Sequence, residues 1–266
     1  MRFTLNLSRL AVVPALLALA ACGTDTGAPN TDDQQINLDV AHYAADATTD
    51  DIVLMTTEAD VTMQPGFQNN NGCARQGLFR IRCARKRFHD NVDFTREVTF
   101  YDENGDEQEF FDSDSTESIN IVASFDGSRS RQNLSVTVDR DRDMTVSGLL
   151  GTETTRIWNG TGSASANRTR TSDENGDRTY DMSSNSTVED VVIAVPRAGT
   201  WPLSGTITRE ITVEVVRGLE DMRTRTRTVV IDFDGTQFAT ITINGDVFEF
   251  DLETRTVVRD DEGDAG

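Results

Sequence analysis

Two short acidic segments have the residue types and the spacing that could bind a metal ion. Residues 102–106 and 173–177 both read Asp-x-Asn-x-Asp, and clustered oxygen ligands suit Ca²⁺. An EF-hand loop has glycine at its sixth position and glutamate at its twelfth. Here glycine is fourth, and the twelfth residues are Ser113 and Ser184. Because Asn-Gly is typical of a tight hairpin turn, the sequence favours two turns over two calcium sites.

Side chains for nucleophilic or zinc-dependent catalysis are scarce. The chain has only His42 and His89, and it contains neither a Gly-x-Ser-x-Gly elbow nor a His-Glu-x-x-His signature. Pairs of carboxylates could hydrolyse glycosides, but with 45 Asp and Glu residues the sequence cannot show which of them pair in space. The prediction is a protein that is not an enzyme and that holds no cofactor and no metal.

The N-terminus combines positive charge, a short apolar run and small residues. Arg2 and Arg9 precede an apolar stretch over residues 10–21. Positive charge followed by an apolar run and small residues is the order found in a secretory signal. The stretch ends in Leu19-Ala20-Ala21-Cys22, and this motif resembles the lipobox of bacterial lipoproteins. The resemblance implies cleavage before Cys22 and diacylation of its sulfur, which anchors the protein in the membrane. The alternative is an ordinary cleaved signal with a chance cysteine.

The lipobox resemblance also implies a location. Gly23 follows the cysteine, whereas an Asp there often retains lipoproteins at the inner membrane. The resemblance therefore implies a lipid-anchored protein of the bacterial cell envelope, at the outer membrane. Residues 22–33 are rich in Gly, Thr, Asp, Asn and Pro and are predicted to form a flexible tether.

With Cys22 acylated, Cys73 and Cys83 remain as an even number in an oxidising compartment. The residues between them include Gln76-Gly77, a plausible turn. A disulfide across a small hairpin is predicted, with a metal pair or a redox pair as alternatives. Metal sites usually need closer Cys spacing and more Cys or His nearby, and only His89 is close.

The charge excludes one class of partner. The 266 residues carry 25 Lys and Arg against 45 Asp and Glu, a formal net charge of −20. A strongly acidic chain repels phosphate backbones, so no nucleic acid is expected as a partner. One basic island, residues 75–87, interrupts the acidity. It could bind anionic groups, but a solvated hairpin whose arginines pair with the acidic body is the favoured interpretation.

Alternation of apolar and polar residues predicts an antiparallel sheet. From about Asp93 the period is two almost throughout, as in Ile119, Ile121 and Ala123. Asn-Gly and Asp-Gly pairs between the runs favour tight hairpins. About nine to eleven strands are predicted, in an all-β meander that is either an open half-barrel or a sandwich. Residues 159–171 carry almost nothing apolar and are predicted not to be a core strand along their whole length.

Helical spacing is confined to the segment before the sheet. Leu38, Ala41 and Ala45 lie at helical spacing, and so do Ile52, Met55 and Ala59; capping residues at 48–51 precede the second group. Two short helices are therefore predicted. The predicted organisation is a signal peptide (1–21), a tether (22–33), a short helical or irregular segment (34–64), the β domain (65–258) and a disordered acidic tail (259–266).

Three function classes follow. From Asp93 onward the chain resembles β-rich envelope lipoproteins of bacteria to which no activity is attached. The first expectation is a non-enzymatic structural or binding module, with the membrane and an envelope protein or lipid as partners. The second is a lipid or lipoprotein carrier with an open half-barrel, and the third is a carboxylate-based hydrolase.

Overall fold

A computed structural model describes residues 31–58, 73–87, 92–131, 134–170, 178–195, 201–217 and 221–260. The predicted signal peptide, Cys22, most of the predicted tether, His89, the second Asp-x-Asn-x-Asp segment and the end of the acidic tail lie outside the described residues. Within the part of the chain that the structure describes, no helix combines the length and the apolar character that crossing a membrane requires.

One helix precedes the sheet where two were predicted. Helix α1 (Thr31–Val53) runs without a break into a π-helical turn (Leu54–Glu58). The expected break at 48–51 is absent because its polar residues have other partners: Thr49 donates to the carbonyl of Ala45 at 3.0 Å, and Asp51 binds arginines of the sheet. The helix also begins at Thr31, inside the predicted tether.

The part of the chain that the structure describes then forms thirteen strands, and the all-β class is confirmed. The additional strands are short segments of two to four residues, in which a period of two cannot be recognised. In chain order the strands are β1 (Cys73–Gln76), β2 (Arg80–Arg87), β3 (Val92–Asp102), β4 (Glu107–Gln108), β5 (Thr116–Arg131), β6 (Leu134–Ser147), β7 (Thr155–Arg170), β8 (Arg178–Ala194), β9 (Ser204–Arg217), β10 (Asp221–Phe233), β11 (Phe238–Ile243), β12 (Asp246–Asp251) and β13 (Thr256–Arg259).

All the strands belong to one antiparallel meander. Each pairs with its neighbour in the chain, except that β3 pairs with β5 and the short β4 lies beside β3. The predicted turn chemistry explains the tight connections: Asn244 and Gly245, with φ of +50° and +93°, join β11 to β12 in the left-handed conformation that Asn-Gly pairs tolerate. The strands β1 and β13 are the edges of the sheet, which does not close in the described residues.

The sheet curls around α1. Side chains of the helix bind residues on strands from β6 to β12. Of helix residues 33–56, only Asp46, Asp50 and Val53 are exposed. A flat sheet covers one side of a helix, so burial on nearly every side requires a sheet that curves around it. Of the two predicted architectures, the single curled sheet is the open half-barrel, and its inner face and the helix share one hydrophobic core.

The cysteines of β1 and β2 are direct partners. Cys73 and Cys83 stand opposite each other in the register, with Cα atoms 3.9 Å apart and sulfurs at disulfide distance. Gly77, at φ +82°, supplies the left-handed residue of the turn between them. The predicted hairpin and the proximity of the two cysteines are confirmed.

We expect this pair to stabilise the first hairpin covalently. Replacing both cysteines by serine should lower the free energy of unfolding by about 2–3 kcal/mol, because the unfolded chain loses a cross-link. Urea unfolding with and without reductant measures this, and the double variant should not respond to reductant. Peptide mapping without reduction should recover Cys73 and Cys83 in one linked peptide, and two separate thiol peptides would contradict the pairing.

Candidate functional site on the inner face of the sheet

Two arginines converge over small residues on the inner face. Arg142 of β6 pairs with Gly162 of β7, Gly162 with Ser186 of β8, and Ser186 with Arg209 of β9. Residues in one such row project to the same face. The two arginines stand three strands apart, about 14 Å, with only a glycine and a serine between them. Their long side chains can therefore approach each other above the small residues.

The neighbouring rows continue this pattern and form what we call the trough. Its floor consists of small residues on β7 and β8, and arginines on β6, β9 and β10 line its sides. The floor residues are Gly160, Gly162, Ala164, Ala166, Ser184 and Ser186; the arginines are Arg140, Arg142, Arg209, Arg225 and Arg227. Helix α1 occupies the trough.

Strand β7 is a core strand only in its middle. The sequence predicted that 159–171 is not buried along its whole length; Ala164 and Ala166 are buried, whereas Gly162 and Arg168 in the same phase are only partly buried. The inward positions are small rather than apolar, because they must leave space for a helix. A Cβ added to Gly162 would lie 2.7 Å from the Cδ and Nη1 atoms of Arg142.

Asp51 lies between the two converging arginines. Arg142 donates from Nε to Oδ1 at 2.5 Å, and Arg209 donates from Nη2 to Oδ2. The three side chains are buried: 2% of Asp51, 6% of Arg142 and none of Arg209 is exposed. Burial raises the pKa of Asp51, but the charges of Arg209 and Arg142 outweigh it and hold this pKa below its ordinary value of 3.8. Asp51 is therefore ionised at neutral pH.

Arg140 forms a second ion pair beside this one. Its guanidinium is buried and contacts Asp50, whose carboxylate reaches the surface. Burial, together with the positive charges of Arg142 and Arg209, lowers the pKa of Arg140 to about 10, although Tyr43 and Asp46 act in the opposite direction. Arg140 still carries its charge at neutral pH, so three cations face two carboxylates at this end of the helix.

The other end of the helix is held by β10 and β12. Arg227 donates from Nε to the amide oxygen of Asn37 at 2.7 Å, and Asn37 donates to Asp246 at 2.7 Å. Asp33 accepts from Arg227 at 3.2 Å and pairs with Arg225 at 3.7 Å. The arginines of β10 alternate with threonines. Arg225 and Arg227 face the helix, and the side chain of Arg223 lies outside the described residues.

Tyrosines tie the middle of the helix to β8. The hydroxyl of Tyr180 donates to Asp39, and the hydroxyls of Tyr43 and Ser184 lie 3.4 Å apart. Between residues 33 and 56 only Asp46, Asp50 and Val53 are exposed. Spacings of four and three place these residues on one line along the helix. The helix is thus enclosed except along a narrow line open to water.

Several guanidinium donors in the trough have no acceptor. Among the described residues, no hydrogen-bond partner reaches Nε and Nη1 of Arg209, Nη2 of Arg142 or Nε of Arg140. Buried polar groups are nearly always paired, and an unpaired one marks a missing water, ion or functional role.

The predicted site residues are dispersed over the molecule. Cys22 lies outside the described residues, and Cys73 and Cys83 are at the β1 edge. His42 is half-buried on α1. In the basic island, Arg75 pairs with Glu109 at 2.6 Å and Arg80 with Glu97 at 3.3 Å, as the solvated-hairpin interpretation expects; the side chains of residues 84–87 are not described.

The first Asp-x-Asn-x-Asp segment is the predicted turn. The carboxylate of Asp102 accepts from the backbone N–H groups of Asn104 and Asp106, each at 2.9 Å. The hydrogen bond from Asp106 is the main reason that the pKa of Asp102 is lowered. Among the described residues no group of three or more His, Cys, Asp or Glu side chains is placed to hold a metal ion.

The comparisons with known proteins gave no match: no family model, no curated protein and no solved structure is similar to this chain.

Proposed function

We propose that this chain is a lipid-anchored protein of the bacterial cell envelope that acts as a non-enzymatic structural or binding module. The observation that supports this best is the locked helix. Ion pairs bind α1 into the sheet, and the helix begins nine residues after Cys22. Nine extended residues span at most about 32 Å. An acylated Cys22 would therefore hold the whole half-barrel close to the membrane surface, at the outer membrane if Gly23 acts as it does in other lipoproteins.

The outer face offers the surface for a partner. Successive side chains of β6 point to opposite faces of the sheet. Arg140 and Arg142 point inward, and the three exposed acids between and beside them are Asp139, Asp141 and Asp143. Glu210 of β9 is also exposed, in the same outward phase. On β6, the arginines thus face the helix and the aspartates face solvent. A partner of this face would carry basic side chains, since opposite charges steer association.

Replacing Cys22 by alanine tests the anchor. We expect the variant to move from the membrane fraction to the soluble fraction, because a non-acylated chain keeps none of the roughly 0.8 kcal/mol that each buried methylene contributes to anchoring. Immunoblotting of fractionated cells is the measurement. Cys73→Ala is the matched control and should stay with the membrane. Membrane attachment of the Cys22→Ala variant would contradict the lipobox interpretation.

A lipid carrier is the second candidate, and one observation favours it. The inner face of the sheet is covered by helix α1 and not by further strands. Departure of the helix would therefore expose the trough. Mass spectrometry of protein purified from its own membranes tests this candidate. A stoichiometric lipid supports the carrier; its absence, together with a crosslinked envelope protein, supports the binding module.

A further inference from the structure

We propose that the trough contains an oxyanion-binding site, formed by Arg140, Arg142 and Arg209, and that the helix carboxylates of Asp50 and Asp51 occupy it in this structure. The ligand class is a phosphate group, free or as the headgroup of an amphiphile. This site goes beyond the proposed function and does not depend on acylation of Cys22.

The hydrogen-bond donors of this cluster exceed what the helix uses. The three arginines contact the carboxylates of Asp50 and Asp51, and Asp46 lies near enough to act on the charge of Arg140. Asp51 accepts one N–H from Arg142 and one from Arg209, while Nε and Nη1 of Arg209 and Nη2 of Arg142 stay unpaired among the described residues. A phosphate has more acceptor oxygens and more charge than a carboxylate, so it can use donors that Asp51 leaves unsatisfied.

The shape of the site also suits a phosphate. Guanidinium groups match the oxygens of phosphate with paired N–H donors and are less strongly hydrated than ammonium groups. Gly162 and Ser186 lie beneath the converging side chains, and a Cβ added to Gly162 would already stand 2.7 Å from Arg142, so only small residues here let the two arginines approach each other. The enclosing sheet lowers the local dielectric constant, which strengthens each charge-assisted bond.

The helix changes its hydrogen-bond pattern directly after these carboxylates. The α-helical pattern ends at Val53, and a π-helical turn follows from Leu54. Such turns are rare and frequently occur at functional sites. Val53 and the side chain of Asp50, 57% exposed, bring this part of the site to the surface. The anion site is therefore adjacent to solvent.

The test replaces the carboxylate of Asp51 by an uncharged amide of the same shape. In Asp51→Asn, inorganic phosphate should raise the melting temperature in a saturable manner, with an apparent affinity at least about tenfold higher than that of the unaltered protein, because a ligand stabilises the state that binds it. Chloride at matched ionic strength is the salt control. Asp114→Asn is the matched variant, since Asp114 is an exposed acid ahead of β5 and outside the trough, and it should behave like the unaltered protein.

A third substitution assigns the binding to the trough. Arg209→Gln, added to Asp51→Asn, should abolish the phosphate response. An equal response in Asp51→Asn and Asp114→Asn, or a response that survives Arg209→Gln, overturns the proposal. If Asp51→Asn does not fold, Asp50→Asn replaces it at the exposed edge of the same site. Phosphorus NMR then measures binding, and no tighter binding than in Asp114→Asn overturns the proposal.

Two further arms identify the source of the phosphate. Glycerol phosphate and short-chain phosphatidylglycerol below its micellar concentration are compared with short-chain phosphatidylcholine. A preference for phosphatidylglycerol that Arg209→Gln removes indicates an anionic headgroup, and equal binding of glycerol phosphate indicates a free phosphate. If Asp51→Asn binds none of these phosphates, the proposed anion site is overturned. The fractionation of Cys22→Ala tests the membrane anchor separately, and its outcome does not depend on this result.

Discussion

Replacing Asp51 by alanine is expected to destabilise the protein by about 3–5 kcal/mol. The substitution leaves Arg142 and Arg209 buried without the carboxylate that both of them bind, and removal of one partner from a buried ion pair has a cost of this order. Urea unfolding followed by the fluorescence of Trp158, which is fully buried, measures the change. Asp46→Ala is the control on the same helix, because Asp46 is exposed; it should change stability by less than about 0.5 kcal/mol.

The same variant has a defined pH dependence. The folded-state pKa of Asp51 is lowered, so the ionised carboxylate contributes its full stabilisation above 3.8 and loses it as the pH falls through the folded-state value below 3.8. The stability difference between the unaltered protein and Asp51→Ala should hold at neutral pH and shrink under acid. A difference that is small at neutral pH would contradict the buried ion cluster.

Replacing Gly162 by valine is expected to destabilise the protein by about 3 kcal/mol, although valine is the better strand former. The added side chain would enter the space of the Arg142 guanidinium, with the first carbon already 2.7 Å from its Nη1 atom. Overpacking of this kind costs about 1–3 kcal/mol, and displacement of Arg142 also weakens its contact with Asp51. Thermal and urea unfolding are the measurements.

The outer face of the same strand supplies the matched control. Ser165 is exposed and projects away from the trough. Ser165→Val should be neutral or slightly stabilising, because strand propensity then acts without a steric conflict. Equal effects of the two valines, or stabilisation by Gly162→Val, would mean that the small residues of β7 are not needed to accommodate Arg142 and the helix.

The sheet could be predicted from local patterns. Strands such as β5 and β11 alternate apolar and polar residues, and Asn244-Gly245 specifies its own turn. Strands of two to four residues could not be recognised, since a period of two needs a longer run. Whether the meander closes on itself or curls around a helix depends on contacts between distant residues, which the alternation does not encode.

The helix was harder to predict because it is not amphipathic. A surface helix shows an apolar stripe, whereas α1 is enclosed on almost every side and binds much of its surroundings through polar groups. Asn37, Asp39 and Asp51 are all buried. Side chains of this type interrupt an apolar pattern and therefore suggested two short helices instead of one.

The candidate site left one signal in the sequence. In β9, Ile207, Ile211 and Val213 point inward, and Arg209 stands in the same phase. A charge at an inward position needs a buried partner, so Arg209 marked a polar contact inside the sheet. The sequence could not identify that partner, since Asp51 is 158 residues away and 45 acids are available.

Buried charges bind the acidic helix α1 into the arginine-lined trough of the sheet. A double-mutant cycle of Asp51→Ala and Arg209→Ala measures this binding, with the free energy of unfolding determined for the four proteins. We expect a coupling energy of about 2 kcal/mol or more, within the range for close, desolvated charge pairs. Additive effects of the two substitutions, with a coupling energy near zero, would mean that these charges do not bind the helix to the sheet.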